Sequence, residues 1–247
     1  MLTRTIDINC DVGEGVGNEH ELFPMISSCN IACGGHAGSS ETIRQCLELA
    51  KKYNVKIGAH PSYPDKENFG RVTMTIPKHE LIKSIDTQIQ IFLMECRRIG
   101  VTIHHIKPHG ALYNDIAKDE HLARLFLTAI SPYKKEIILY VPYGSVIEIL
   151  AIADNFKIMK EAFADRNYNN DLSLVSRKEK NALITSGEEV LEHMLLVCEN
   201  NEVKTISGKN IHLEADTFCI HGDTPSALQI LTYITKHLPQ HNLQAKP

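Results

Sequence analysis

The chain has 247 residues, and its 26 Lys and Arg set against 30 Asp and Glu give a formal net charge of −4. Charges of both signs are interspersed over 23% of the sequence, which leaves no basic stripe for nucleic acid or an anionic membrane and makes a small-molecule ligand the default expectation. The amino terminus reaches Asp7 without an apolar run, and no segment approaches the roughly 20 apolar residues needed to span a bilayer, so one cytoplasmic domain is expected.

In chain order, a first strand is predicted over Thr5–Cys10. Its alternation sends Asp7, Asn9 and Asp11 to one face and Ile6, Ile8 and Cys10 to the other. An acidic inner face suits the lumen of a barrel, and an edge strand with a wet face is the alternative. The glycines of Gly13-Glu-Gly-Val-Gly17 follow, but no helical pattern opens directly after them, so they are read as a close backbone approach to a ligand and not as a dinucleotide fingerprint. Further strands are predicted at Ser28–Cys33, Val55–Ala59, Ile103–Lys107, Ile137–Val141, Lys157–Ala162 and Thr217–Ile220. Helical stripes alternate with them: Ile43, Cys46, Leu47 and Ala50; Ile82 to Cys96, ending at Gly100; and Leu122, Leu125, Phe126 and Ala129. Phe163 to Ile184 is a long polar loop, Ser186 to Glu189 a capping box, and Val203 to Glu214 a hairpin. Thr224-Pro225 is expected to open the last helix, with the hydroxyl as cap and Pro at its first position, and a polar tail from Pro239 is expected to fray. This βα rhythm predicts a single-domain α/β fold, an irregular (β/α)7-like barrel of TIM type. The seven cysteines, without a CxxC pair, read as buried structural thiols in a reducing compartment.

Histidines recur where strands end: His36, His60, His109 and His221. Any one alone is more often structural than catalytic, but the carboxyl ends of parallel strands converge on one crevice, so four at equivalent positions point to proton transfer or metal binding. Lys107 shares a strand face with His109 and suits a cation that neutralises a carboxylate or a developing oxyanion. Glu161, Asp165 and Arg166 gather where the sixth strand meets the long loop, either as base and anion clamp or as a salt bridge pinning that loop. Asp11, His36 and His60 are the candidate ligands of a divalent metal, although no HExxH or HxxxH spacing supports them.

At these residues the sequence resembles the LamB/YcsF family. The resemblance runs through Asp7-Ile-Asn-Cys-Asp-Val-Gly-Glu-Gly15, Asn30-Ile-Ala-Cys-Gly34 with His36, Gly58-Ala-His-Pro61 through Arg71, Lys107-Pro-His-Gly-Ala-Leu-Tyr-Asn114, Phe163-Ala-Asp-Arg166 and Cys219-Ile-His-Gly-Asp-Thr-Pro225. It implies a barrel similar to the glycoside hydrolase and deacetylase folds. It also implies ATP-dependent hydrolysis of 5-oxo-L-proline to L-glutamate with two other 5-oxoprolinase subunits. On that reading Asp11, His60, Lys107, His109 and His221 are catalytic, while Asn9, Glu14, Asn30, His36, Arg71, Glu161, Asp165, Arg166 and Asp223 bind substrate, with Arg71 or Arg166 gripping its carboxylate. ATP with magnesium is expected chiefly on the partner subunits, and a homo-oligomer is compatible with the sequence. Two other readings use the same residues: a metal-dependent deacetylase or amidohydrolase without ATP, and a non-catalytic binding or regulatory subunit. Gly35, Val72, Ser173 and Asn181 depart from the family pattern; the first is expected to widen the pocket and the others to alter its lid.

Overall fold

Apolar residues of the first strand are buried on one side and its polar residues on the other, an arrangement that only a closed sheet sheathed by helices satisfies. The computed structural model describes residues 3–224 and 226–245. In order the elements are β1 (Arg4–Val12), α1 (Glu19–Leu22), β2 (Ser28–Ala32), α2 (Ser40–Tyr53), β3 (Lys56–His60), α3 (Lys78–Ile99), β4 (His105–Ile106), α4 (Gly110–Ile116), α5 (Glu120–Ile130), β5 (Ile138–Pro142), α6 (Val146–Ala153), β6 (Lys157–Phe163), α7 (Gly187–Asn200), β7 (Glu202–Lys204), β8 (Asn210–His212), β9 (Thr217–His221), α8 (Ala227–His237) and β10 (Leu243–Ala245). Strands β1 to β6 pair in sequence, all parallel, and β9 closes the ring by pairing with both β6 and β1. The result is the seven-stranded parallel barrel that the βα rhythm predicts. No helix of the described residues is long and apolar enough to cross a membrane.

The register stacks the polar residues in tiers. Asp7 lies beside Thr217, Asn9 beside Ser28 and Cys219, Asp11 beside Asn30 and His221, and Ala32 beside His60. Gly58 is opposite His105 in the β3–β4 ladder, and any Cβ there would drive into the His105 ring, so the glycine makes room for the imidazole. On the outer surface Ile43, Cys46, Leu47 and Ala50 of α2 and Ile85, Ile89, Phe92 and Cys96 of α3 are buried against the sheet. Ser39 caps α2 by accepting from the Thr42 amide at 3.2 Å, and Ser186 caps α7 through the Glu189 amide at 3.5 Å. All seven cysteines are free and buried, and burial pushes the Cys33 and Cys46 thiols up to about 12.

Several expectations are corrected. The fourth strand contracts from Ile103–Lys107 to His105–Ile106. The Thr224 hydroxyl does not cap the last helix: it donates to Asp165 Oδ2 at 2.8 Å, and α8 begins at Ala227 behind Ser226, which makes no side-chain cap bond. Pro225 lies outside the described residues. Among the described residues the tail after Pro239 does not fray, because Leu243–Ala245 adds a parallel strand alongside Arg4–Ile6 and buries Leu243. A helix, α1, does follow the glycine-rich turn, though it is four residues long. Gly35 does not widen the pocket, since the space a side chain would need is filled by Ser62 and by Gln88, whose amide bonds both the nitrogen and the oxygen of Ser62.

Candidate active site

At the amino end of the barrel the lumen is sealed by Asp7, which accepts from Ser28 and Thr217 hydroxyls at 2.7 Å each and from Lys56 at 2.7 Å. One tier up, Asn9 and Asn30 are fully buried. Asn9 donates to Glu161 and Thr217, both at 2.9 Å, and Asn30 donates to Asn9 at 2.7 Å and to Asp11 at 2.8 Å. Burial holds His105 well below the usual imidazole range. As a neutral ring it therefore donates from Nε2 to the Asn30 oxygen at 2.7 Å while stacking on Tyr140.

Lys107 stands at the centre. Its ammonium is 3.0 Å from Asp11 Oδ1, 2.9 Å from Glu161 Oε1, 3.2 Å from the Asn9 oxygen and 3.0 Å from Cys219 Sγ. Burial works against this charge, yet Asp11 and Glu161 outweigh it and hold the ammonium well above its ordinary range. The same happens to Asp11, where burial is overcome by His60 and then Lys107, so the carboxyl lies well below its ordinary value. An ammonium with three donors and four acceptors already in place fixes carboxylates; it does not stand free to meet an oxyanion.

Above this hub the glycine-rich turn folds inward. Gly13 and Gly15 take φ of 74° and 84°, and the reversal between them drops Glu14 onto three imidazoles. Glu14 Oε1 is 2.9 Å from His36 Nε2, 3.3 Å from His109 Nδ1 and 3.9 Å from His60 Nε2. Burial pushes His36 down to about 4 and lowers His109 as well, so both rings are neutral near pH 7.

On the opposite rim Asp165 is fully buried and receives the His221 amide at 3.0 Å, the His221 Nδ1 at 2.9 Å and the Thr224 hydroxyl. Burial raises this carboxyl, but His221 and these hydrogen bonds outweigh it and keep it ionised. Because Nδ1 carries the proton donated to Asp165, Nε2 of His221 is left to the cavity, oriented by a buried carboxylate as a proton carrier needs to be.

The cavity above these groups holds about 670 Å³ and is lined by Asp11, His60, Lys107, His109, Glu161 and His221 at its floor, all catalytic candidates or their neighbours. Tyr113 and Phe163 form the sides, and the residues from Leu172 to Lys178 form a wall. That long loop is ordered: Arg166 bridges to Leu183, Tyr168 to Leu174, and Tyr168, Val175 and Ile184 are buried. Arg166 lines the cavity, but its guanidinium donates to the carbonyls of Val175 at 2.6 Å and Ala182 at 3.2 Å. It therefore pins the loop, with backbone carbonyls in place of the acidic partner the sequence suggested. Arg71 pairs with Asp223 at the mouth, and Arg177 approaches the same carboxylate at 3.8 Å. Asn9, Glu14, Asn30, His36, Asp165 and Asp223 do not line the cavity; the first five support its floor from beneath or behind. Val72 is half exposed at the mouth, and Ser173 and Asn181 make local turns, Ser173 bonding to Asp171 and Asn181 accepting from Asn167.

Sequence reasoning passed over His105, Thr217, Tyr113 and Arg177. The first two were within reach: His105 precedes Lys107 by two, as Asn9 precedes Asp11, and Thr217 stands likewise to Cys219.

The family model for LamB/YcsF matches residues 6–247. A 5-oxoprolinase subunit from Thermococcus sibiricus is 41% identical over 246 residues, covering 97% of this chain and 96% of the relative. Its counterpart from Haemophilus influenzae is 36% identical over 241 residues, 98% of each chain. Among solved structures, a lactam utilization protein from Thermus thermophilus superposes with a TM-score of 0.91 at 32% identity, covering 98% of this chain and 99% of the other.

Proposed function

The chain belongs to the LamB/YcsF family, and from that premise we propose that it is the lactam-handling subunit of an ATP-dependent 5-oxoprolinase, opening 5-oxo-L-proline to L-glutamate together with two partner subunits. The names of its relatives support the substrate. The observation that carries the reading is the cavity floor, where an ionised Asp11 fixed by Lys107 faces a His221 oriented by buried Asp165.

In this proposal His221 Nε2 moves the proton between the attacking water and the departing ring nitrogen, with Asp11 orienting the water. Arg71 and Arg177, shared on Asp223 at the mouth, exchange that carboxylate for the carboxylate of the substrate. The cavity is several times larger than a five-membered lactam, which leaves room for an activating group delivered by a partner. The enzyme works in the cytoplasm, where its buried thiols stay reduced.

The glycine-rich turn offers little support for a phosphate-binding loop. The glycine-rich turn runs into α1, too short to offer a phosphate its amino end, so ATP and its magnesium are assigned to the partners. The test is 5-oxoproline-dependent ADP release by this chain with and without the two other subunits. Turnover is expected only when all three are present. Full turnover by the chain alone, or by the partners alone, contradicts the proposal.

A further inference from the structure

His60 and His109 each commit one ring nitrogen to a backbone carbonyl and turn the other inward. His60 Nδ1 lies 2.7 Å from the Lys107 carbonyl and His109 Nε2 lies 2.9 Å from the Phe69 carbonyl. Carbonyl oxygens only accept, so each of these nitrogens carries its ring's proton. The other ring nitrogens, His60 Nε2 and His109 Nδ1, turn away from those carbonyls and face one another at 3.0 Å, with rings only 1% and 4% exposed. Glu14 Oε1 is 3.3 Å from His109 Nδ1. Around them the carboxyl groups of Asp11, Glu14 and Glu161 gather, and the cation bonded among them is Lys107, which serves Asp11 and Glu161 and does not reach Glu14. Two imidazole nitrogens and a carboxylate oxygen that converge in one buried space are a ready set of ligand atoms for a cation.

We propose that this space is a site for a divalent transition-metal ion, held by His60 Nε2, His109 Nδ1 and Glu14 Oε1, with His36 Nε2 as the fourth donor. One ligand atom from each of these four residues lies within 4.8 Å of the others. Bonds of about 2.0–2.1 Å to a tetrahedral ion put neighbouring ligand atoms roughly 3.4 Å apart. The separations of 2.9, 3.0, 3.3 and 3.9 Å here straddle that value. The carbonyls behind His60 and His109 are the outer partners that fix the tautomer of a metal-bound imidazole. Three imidazoles and one carboxylate suit Zn2+ first, with Co2+ and Mn2+ bound less tightly.

The rings of His36 and His109 stack almost parallel, centroids 3.6 Å apart, so one must turn before both lone pairs meet one ion. His36 is the ring that turns, because its Nδ1 has no hydrogen-bond partner among the described residues. The second grouping of ligand types, Asp11, Cys219 and His221, is the weaker site: the Cys219 sulfur accepts from Lys107 at 3.0 Å, and Asp11 Oδ1 serves Lys107 and Asn30. The metal assignment goes beyond the lactam reading and does not depend on it, since ion binding is measured without substrate, ATP or partners.

The full chain, stripped with chelator and dialysed, is titrated with Co2+ and then Zn2+. One equivalent of Co2+ is expected to bind with visible d–d bands, no sulfur-to-cobalt charge-transfer band, and displacement by Zn2+. Glu14→Gln and His109→Gln should each weaken binding at least about tenfold, with unchanged circular dichroism, while the surface variant His212→Gln binds normally. Should the site variants fail to fold, X-ray absorption of the zinc-loaded native chain decides, and a shell of nitrogen and oxygen with imidazole scattering is expected. Absence of saturable binding, unaltered affinity in folded variants, or a sulfur ligand overturns the assignment.

Discussion

Replacing Lys107 with Met is expected to abolish turnover of the assembled enzyme and to destabilise the chain by about 3–5 kcal/mol, the usual cost of stranding a buried charge whose partner is removed. Asp11 and Glu161 are both within 3.0 Å of the ammonium and both almost fully buried, so Met leaves two carboxyl groups facing each other without a cation. For a chain of this length the melting temperature should fall by roughly 10 °C. The double variant Lys107→Met with Glu161→Gln should recover part of the stability, because it removes one of the stranded charges, but none of the activity. Thermal melts of the isolated chain and ADP release by the complex measure the two effects separately. A native melting temperature in Lys107→Met would mean that the central ion pairs contribute nothing to the fold.

The second large effect is expected at Asp165, a positioning residue that acts through His221. Asp165→Asn keeps the shape but presents an amide where a carboxylate accepted three hydrogen bonds, so His221 loses the partner that fixes its tautomer. A loss of about 10²–10⁴-fold in kcat is expected, the range of general acid–base catalysis, together with a changed pH profile that a purely structural role would not produce. Stability adds a second readout with a definite sign. Since the folded-state value of Asp165 lies below its unfolded value of about 3.9, its contribution is present above that pH and disappears as pH falls through the folded value. Urea midpoints of native and Asp165→Asn chains should therefore differ at pH 7, by about 1–3 kcal/mol in stability, and converge in acid below about pH 4. Divergence on acidification would contradict the assignment.

The barrel was legible because its strands carry their signal locally. The alternation of Asp7, Asn9 and Asp11 against Ile6, Ile8 and Cys10 has no sensible home in a sheet with one wet face, and the lumen receives those three side chains tier by tier. His60, His109 and His221 were legible as one cluster for a related reason: parallel strands end on one side, and all three line the same cavity. What escaped depends on contacts distant in sequence. Arg166 is indistinguishable from a substrate clamp until the path of the loop shows the Val175 and Ala182 carbonyls waiting for it. Gly35 suggests a wider pocket only if nothing else fills the space, and Gln88 of α3 does so from more than fifty residues away. The place of Glu14 is set by the left-handed glycines on either side of it, a geometry that a Gly-x-Gly spacing permits but does not dictate. The eight apolar-rich residues of α6 carry no polar face by which periodicity could have marked them as a helix, and Leu243–Ala245 is too short for any pattern.

The account turns on where a lactam goes. A crystal structure of the chain with 5-oxo-L-proline tests this most directly: the ring is expected on the floor formed by Asp11, His60 and Lys107, its nitrogen within hydrogen-bond reach of His221 Nε2 and its carboxylate against Arg71 or Arg177. A lactam bound outside the barrel mouth, or a cavity still empty at saturating ligand, would contradict it.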